Sequence, residues 1–176
     1  MEEKLTRLKA ILAEIDDLNK AAAVLDWDQQ TYMPPNGAVE RSEQLATISK
    51  LAHIRSTSPE IGKALDELKT YTETLDPDSD DARLIRRAKI DYDKATRVPP
   101  EKVAEYARVT ALGQEAWVQA RAKSDFSIFR PHLEKIVELS REYADYFKPY
   151  DHVYDPLLDD FEPGLKTADV KEIFNR

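Results

Sequence analysis

The sequence predicts an all-α fold of about six to seven helices in an irregular bundle. Three observations carry this expectation. Apolar residues recur at alternating spacings of three and four over long windows, the period of one helix face. No window sustains the apolar–polar alternation of a half-buried strand. Prolines and Ser, Thr or Asp residues stand between the periodic windows, where helices stop and start.

The first helix is expected over roughly Glu2 to Asp26, because Leu8, Ile11, Ile15, Leu18, Ala22 and Leu25 form one continuous stripe. At 1.5 Å per residue it would be about 36 Å long. Each fully buried Leu or Ile in that stripe is worth roughly 1.5–3 kcal/mol, so the stripe calls for partner helices along its whole length. A coiled coil is the rival reading, but the pattern covers only about three heptads before Pro34-Pro35 breaks it.

A second helix starts near Asn36-Gly37, with Ala38, Leu45, Ile48 and Ala52 on its inner face, and ends before Thr57-Ser58-Pro59-Glu60. In that tetrad Thr57 or Ser58 suits a cap and Pro59 suits a first turn. Ile61, Ala64, Leu65 and Leu68 mark a short third helix. Asp76-Pro77-Asp78-Ser79-Asp80 is a polar break that caps the fourth, which carries Ala82, Ile85, Ala88, Tyr92 and Ala95 and stops before Pro99-Pro100. The fifth restarts at Glu101 with Val103, Tyr106, Ala107, Thr110, Gly113, Trp117 and Ala120, small enough at Ala107, Gly113 and Ala120 for close helix approach. The sixth follows Ser124-Asp125 and runs through Phe126, Phe129, Leu133, Ile136, Val137, Tyr143 and Phe147, with Pro131 confined to its first turn. The aromatic set Trp117, Phe126, Phe129, Tyr143, Tyr146 and Phe147 sits at helical spacing and reads as core. A loop is expected from Lys148 to Lys166, then a seventh helix capped by Thr167 and carrying Val170, Ile173 and Phe174. So short a helix is marginal without packing partners. It reads as cut by the chain end at Arg176, and residues 1–176 as a single helical segment.

With 26 basic against 34 acidic residues the net charge is -8, which lacks the electrostatic footprint for nucleic acid or an anionic membrane. There are no cysteines, so disulfides and thiolate metal sites are excluded. No apolar run is long enough to span a bilayer. The N-terminus lacks the basic-then-apolar pattern of a secretory signal, and cytoplasmic residence is the default expectation. The four glycines form no phosphate-binding loop.

The chemistry-bearing residues are few. His53, His132 and His152 form no HExxH and no two share the i, i+4 spacing of a metal site. Asp155, Asp159 and Asp160, with His152, invite a metal reading, but their spacing is not that of a calcium loop, and loop caps are the better expectation. No pair of carboxylates is singled out for acid–base work, and no Ser/His/Asp motif is present. No catalytic residue and no metal ligand is therefore assigned. The segment L-D-W-D-Q-Q-T-Y-M-P-P-N-G-A-V-E-R, Leu25 to Arg41, stands out instead. Trp27, with Asp26, Asp28 and Gln29, suits a ligand surface, but a core Trp whose indole N–H meets a polar neighbour is the preferred reading. Arg41 is the expected charge partner of Asp28 across the Pro34-Pro35 turn, so Trp27, Asp28 and Arg41 form a structural motif.

That segment resembles the N-terminal region of the carboxypeptidase Taq family of metallocarboxypeptidases. The resemblance is carried by Leu25, Trp27-Asp28-Gln29, Thr31, Met33-Pro34, Gly37-Ala38 and Arg41, then Gln44-Leu45-Ala46 and Leu51-Ala52-His53. It continues through Arg97-Val98-Pro99, Trp117, Ala120-Arg121, Ser124-Asp125-Phe126 and Phe129. It closes with Tyr154-Asp155, Leu157-Leu158-Asp159 and Phe161-Glu162-Pro163-Gly164; Ile54 departs from the pattern, which commonly has an acidic residue there. The resemblance implies an all-helical, zinc-type peptidase that trims single amino acids from peptide C-termini, with this region walling or capping a substrate groove. It implies a divalent metal, zinc, in the intact enzyme, and none bound to this chain, because no position here matches the HExxH helix. Two functional expectations follow: an inactive N-terminal part of such an enzyme, acting on peptide substrates only with its missing C-terminal part, or a stand-alone helical interaction module. The long stripe and unfinished last helix also favour a homodimer.

Overall fold

The computed structural model describes residues 1–175. These residues form helices α1 (Glu2–Thr31), α2 (Ala38–Ser56), α3 (Pro59–Thr72), α4 (Asp80–Ala95), α5 (Pro100–Lys123), α6 (Arg130–Asp145), α7 (Asp155–Asp159) and α8 (Thr167–Phe174), with a 3-10 turn at Phe126–Ile128. No strand occurs among the described residues, so the chain is all-α as predicted. It divides into two compact units, Met1–Glu115 and the residues from Ala116 onward.

In the first unit, the core is Leu5, Leu8 and Ile11 of α1, Ile61, Ala64, Leu65 and Leu68 of α3, and Ile85 and Ala88 of α4. The three helices supply one apolar face each, and the shared burial stabilises the shorter α3 and α4. α3 and α4 approach closely at Gly62, where an added Cβ would come within 2.5 Å of the Tyr92 hydroxyl. The expectation of cover along the whole α1 stripe fails: Leu18, Ala22 and Leu25 are only half-buried. The core cluster uses α1 only as far as Ile15, and beyond that point the neighbouring side chains are small.

Helix boundaries follow local chemistry. α1 runs past the expected Asp26 to Thr31, because the proline pair forbids helical backbone only at the residue before it. The Thr31 hydroxyl donates to the Trp27 carbonyl within that last turn. Ser58 stands at the N-cap of α3 without a side-chain cap bond, and its buried hydroxyl has no partner. Thr57 turns back instead and donates to the His53 carbonyl at 2.8 Å. Ser79 does cap α4, accepting from Ala82 N–H.

In the second unit, α6 carries Pro131 in its first turn, as required. The predicted loop between Lys148 and Lys166 contains the one-turn helix α7. Lys166 rather than Thr167 is the N-cap of α8, and the Asp169 carboxylate accepts from its N–H. α8 ends at the C-cap Asn175, and the expectation of a helix running into Arg176 lies outside the described residues. The aromatic set is not uniformly core. Phe129, Tyr143, Tyr146 and Phe147 are half-buried, but Trp117 is 44% and Phe126 60% exposed. Helical spacing puts residues on one face and does not say whether that face is covered.

Leu68 is wholly buried, so Leu68→Ala should cost about 2–5 kcal/mol of stability. The check is the urea midpoint, which should fall with the m-value unchanged. Ile90→Ala, on the exposed side of α4, should move it by no more than about 0.5 kcal/mol.

Candidate functional site

The corner between α1 and α2 is the most tightly specified polar arrangement in the first unit. α1 stops at Tyr32, whose N–H and that of Met33 both bond to the Asp28 carbonyl. Pro34-Pro35-Asn36-Gly37 then reverses the chain, closed by Gly37 N–H to Pro34 O at 2.9 Å. From the first turn of α2, Arg41 reaches back across the turn. Its Nη2 donates to Asp28 Oδ2 at 2.6 Å, its Nη1 to the Leu25 carbonyl, and its Nε to Gln44 Oε1 at 3.1 Å. The planar guanidinium serves three acceptors at once through its rigid fork of donors. Its side chain is largely buried while Asp28 stays partly open to solvent. The arrangement is therefore a partly desolvated ion pair with satisfied donors.

Trp27 does not occupy the core position expected of it. It is 56% exposed, and the Tyr32 ring meets it edge-on at 5.4 Å between centroids. The reason is angular. Leu25 and Asp28 lie about 60° apart on the α1 surface and face Arg41, whereas Trp27 lies about 200° from Leu25. Helical position thus turns the indole outward.

Gln29 is a residue whose structural role the sequence did not reveal. Its Nε2 donates to the Ala111 carbonyl of α5 at 2.8 Å, while its Oε1 is buried without a partner. Beside it an open cleft of about 480 Å³ runs between α1, α2 and α5. Its floor is small, with Ala22, Ala23, Ala107 and Ala111, and Asp26, Thr110 and Gln114 supply its polar edge. Trp27 and Asp28 are not among the residues lining it. The Ala-rich faces of the first and fifth helices were the only sequence signal for this cleft.

His53, His152, Asp155 and Asp159 serve the backbone. His53 Nε2–H donates to the Val98 carbonyl at 2.7 Å, holding the turn before α5. In the second unit, Asp155 is 5% exposed and accepts from the Thr167 N–H at 2.8 Å, the Thr167 hydroxyl at 2.7 Å and the His152 N–H at 3.1 Å. Those Thr167 bonds, foremost, hold its pKa down at about 2. Asp159 accepts from Gly164 N–H, and His152 Nδ1 accepts from Tyr154 N–H. Burial, then the hydrogen bond that its hydroxyl donates to Asp160, pushes the Tyr143 phenol well above its usual range.

A catalytic divalent metal does not fit this donor set. His53 Nε2 carries its proton toward a carbonyl, His152 Nδ1 already accepts a backbone N–H, and the buried loop carboxylate caps a helix. Among the described residues no three His, Asp or Glu side chains converge. No described helix is long and apolar enough to cross a membrane.

Comparison with known proteins gives a consistent picture. The family model of the carboxypeptidase Taq (M32) metallopeptidases matches residues 7–176. Carboxypeptidase 1 of Bacillus subtilis is 31% identical over 164 residues, which is 93% of this chain and 32% of that protein. Thermostable carboxypeptidase 1 of Pyrococcus furiosus is 35% identical over 170 residues, 95% of this chain and 34% of that protein. Among solved structures, the crystal structure titled BsuCP superposes with a TM-score of 0.92 at 29% identity, covering 98% of this chain and 34% of its own. The P. furiosus carboxypeptidase structure superposes with a TM-score of 0.75 at 33% identity, covering 99% of this chain and 35% of its own. The chain thus spans about a third of the length of the relatives it matches.

Asp155 supplies the pH prediction for this region. Its folded pKa lies below the ordinary carboxylate value of 3.8, so the stability it contributes is complete above about pH 4 and is lost as pH falls toward 2. Asp155→Asn should be less stable than the parent at pH 7, and the difference between the two should shrink between pH 4 and 2. Thermal melts followed by far-UV circular dichroism across that range are the check.

Proposed function

The chain belongs to the carboxypeptidase Taq (M32) metallopeptidase family, and we propose that it is the N-terminal helical part of a metallocarboxypeptidase that releases C-terminal amino acids from peptides. The observation that carries this reading is the superposition of 98% of the chain on 34% of a solved relative with a TM-score of 0.92. Only a shared architecture over the whole length, turns included, gives that agreement at 29% identity.

In such an enzyme an HExxH helix would hold a divalent metal, which would supply Lewis-acid activation of water. This chain has no HExxH, and His53, His152, Asp155 and Asp159 serve backbone groups. Its own residues do something else. They set the angle between α1 and α2 through Arg41 and tie α5 to α1 through Gln29. They build a rigid helical wall on which the remainder of a catalytic domain packs, as one side of a substrate groove.

The isolated chain should release no amino acid from a blocked peptide substrate. After dialysis against buffered zinc it should retain far less than one equivalent of metal. One tightly held zinc per chain, or turnover that survives repurification, would defeat the proposal. The second reading, an interaction module without catalysis, predicts the same metal result. It parts company in predicting that joining the chain to the C-terminal two thirds of a relative restores nothing.

A further inference from the structure

Asparagine occurs in this chain at Asn19, Asn36 and Asn175, and only Asn36 is followed by glycine. Asn36-Gly37 lies in the turn between α1 and α2, with Asn36 exposed. The backbone nitrogen after an asparagine can reach that residue's own Cγ, and a glycine there puts no Cβ in the way. Gly37 has a φ of -82° and a ψ of -5°, open to any residue. An added Cβ, however, would stand 3.0 Å from Met33 Cγ and 3.2 Å from the Pro34 carbonyl oxygen. Packing, and not backbone angle, therefore favours glycine after Asn36, and with it the unshielded nitrogen. Asn19 differs on both counts, because it sits inside α1 and Lys20 follows it.

The same nitrogen is held by the fold. Gly37 N–H donates to the Pro34 carbonyl at 2.9 Å, and the Gly37 carbonyl accepts from Arg41 N–H at 3.0 Å. Arg41 in turn holds Asp28 and the Leu25 carbonyl. The turn must open before the nitrogen leaves Pro34 and approaches Asn36 Cγ. Bonds at an exposed loop tip open more readily than those of the core.

We propose that Asn36 is a site of spontaneous covalent modification, in which the Gly37 nitrogen attacks the Asn36 side chain at a rate set by the corner network. Solvent base takes the Gly37 amide proton. The nitrogen electron pair forms a bond to Asn36 Cγ, the Cγ–Nδ2 bond breaks, and the leaving nitrogen takes a proton from water and departs as ammonia. Water then opens the succinimide. Cleavage of the new N–Cγ bond gives aspartate. Cleavage of the original peptide C–N bond gives isoaspartate, whose main chain runs through Cβ and Cγ. Both products add one negative charge to a chain of net charge -8. Only isoaspartate lengthens the backbone by a methylene, and it does so in the turn from which Arg41 reaches back to α1. Isoaspartate is thus the product that loosens the corner.

The test keeps the full chain in warm, mildly alkaline buffer over weeks. Peptide mass mapping locates the change from amide to acid, and an isoaspartyl methyltransferase with labelled S-adenosylmethionine counts isoaspartate. Ion exchange separates the modified chain for urea denaturation. The expected result is conversion at Asn36 and not at Asn19, and conversion at least about threefold faster in urea than in the fold. Asp28→Asn and Arg41→Ala, each shown folded by far-UV circular dichroism, should convert faster than the parent, and Asn36→Ser should not convert. The isoaspartyl form should have a lower urea midpoint than fresh Asn36→Asp, which carries the charge without the added methylene. An Asn36 amide retained in the fold while the unfolded chain loses it overturns the site. Equal rates in the fold and in urea, or in the parent and both corner variants, overturn control by the corner. Equal midpoints for the isoaspartyl form and Asn36→Asp overturn the loosening.

Discussion

The guanidinium of Arg41 crosses the α1–α2 corner and holds the Leu25 carbonyl and the Asp28 carboxylate at once. The two helices also pack against each other along their lengths, and the crossing pins the angle between them at the corner. It also decides which way α1 is rotated, with Leu25 and Asp28 inward, and therefore that Trp27 faces out. The cleft, the position of Gln29 against α5 and the exposed aromatic pair are consequences of that rotation. A network of outer ion pairs, such as Arg55 with Glu14 and Glu60 and Arg108 with Glu43, decorates the same helices. Exposed pairs of that kind contribute little each, so they follow the packing and do not determine it.

The legible parts of the sequence were those governed by local chemistry. The helix spans followed from the 3.6-residue period. The stops at Pro34-Pro35 and Pro99-Pro100, the Ser79 cap and the Pro131 first turn followed from backbone rules that act within a few residues. The charge partner of Asp28 was also readable, because a turn of known length limits what can reach it. What was hidden depends on rotation and cover. A Trp between two acids at a helix end looks like a core residue until the face opposite Leu25 is known to be open. Phe126 and Trp117 have helical spacing with no overlying element to bury them. α7 was hidden because five residues are too few to show a period. The Asp155 staple was hidden because it joins residues 12 apart through a backbone N–H and a hydroxyl that any loop contains.

The acidic loop shows how function can be misread from composition. Several Asp residues near a His resemble a site on paper. In the fold, the carboxylates engage their own chain: Asp155 accepts from Thr167, Asp159 from Gly164 and Asp160 from the Tyr143 hydroxyl. The same residue types that could bind a cation are here orienting backbone, and the Thr167 donors hold the Asp155 pKa down. The chain thus belongs to a metallopeptidase family while its own polar groups are engaged in architecture. The corner is the element that ties α1 to α2.

The direct test of that claim is a double-mutant cycle on the corner, with Asp28→Ala, Arg41→Ala and the double variant compared by urea denaturation. If Arg41 fixes the hairpin through Asp28, the coupling energy should be about 1 kcal/mol or more, within the usual range for contacting charged residues. Strictly additive losses, with no coupling, would contradict the account.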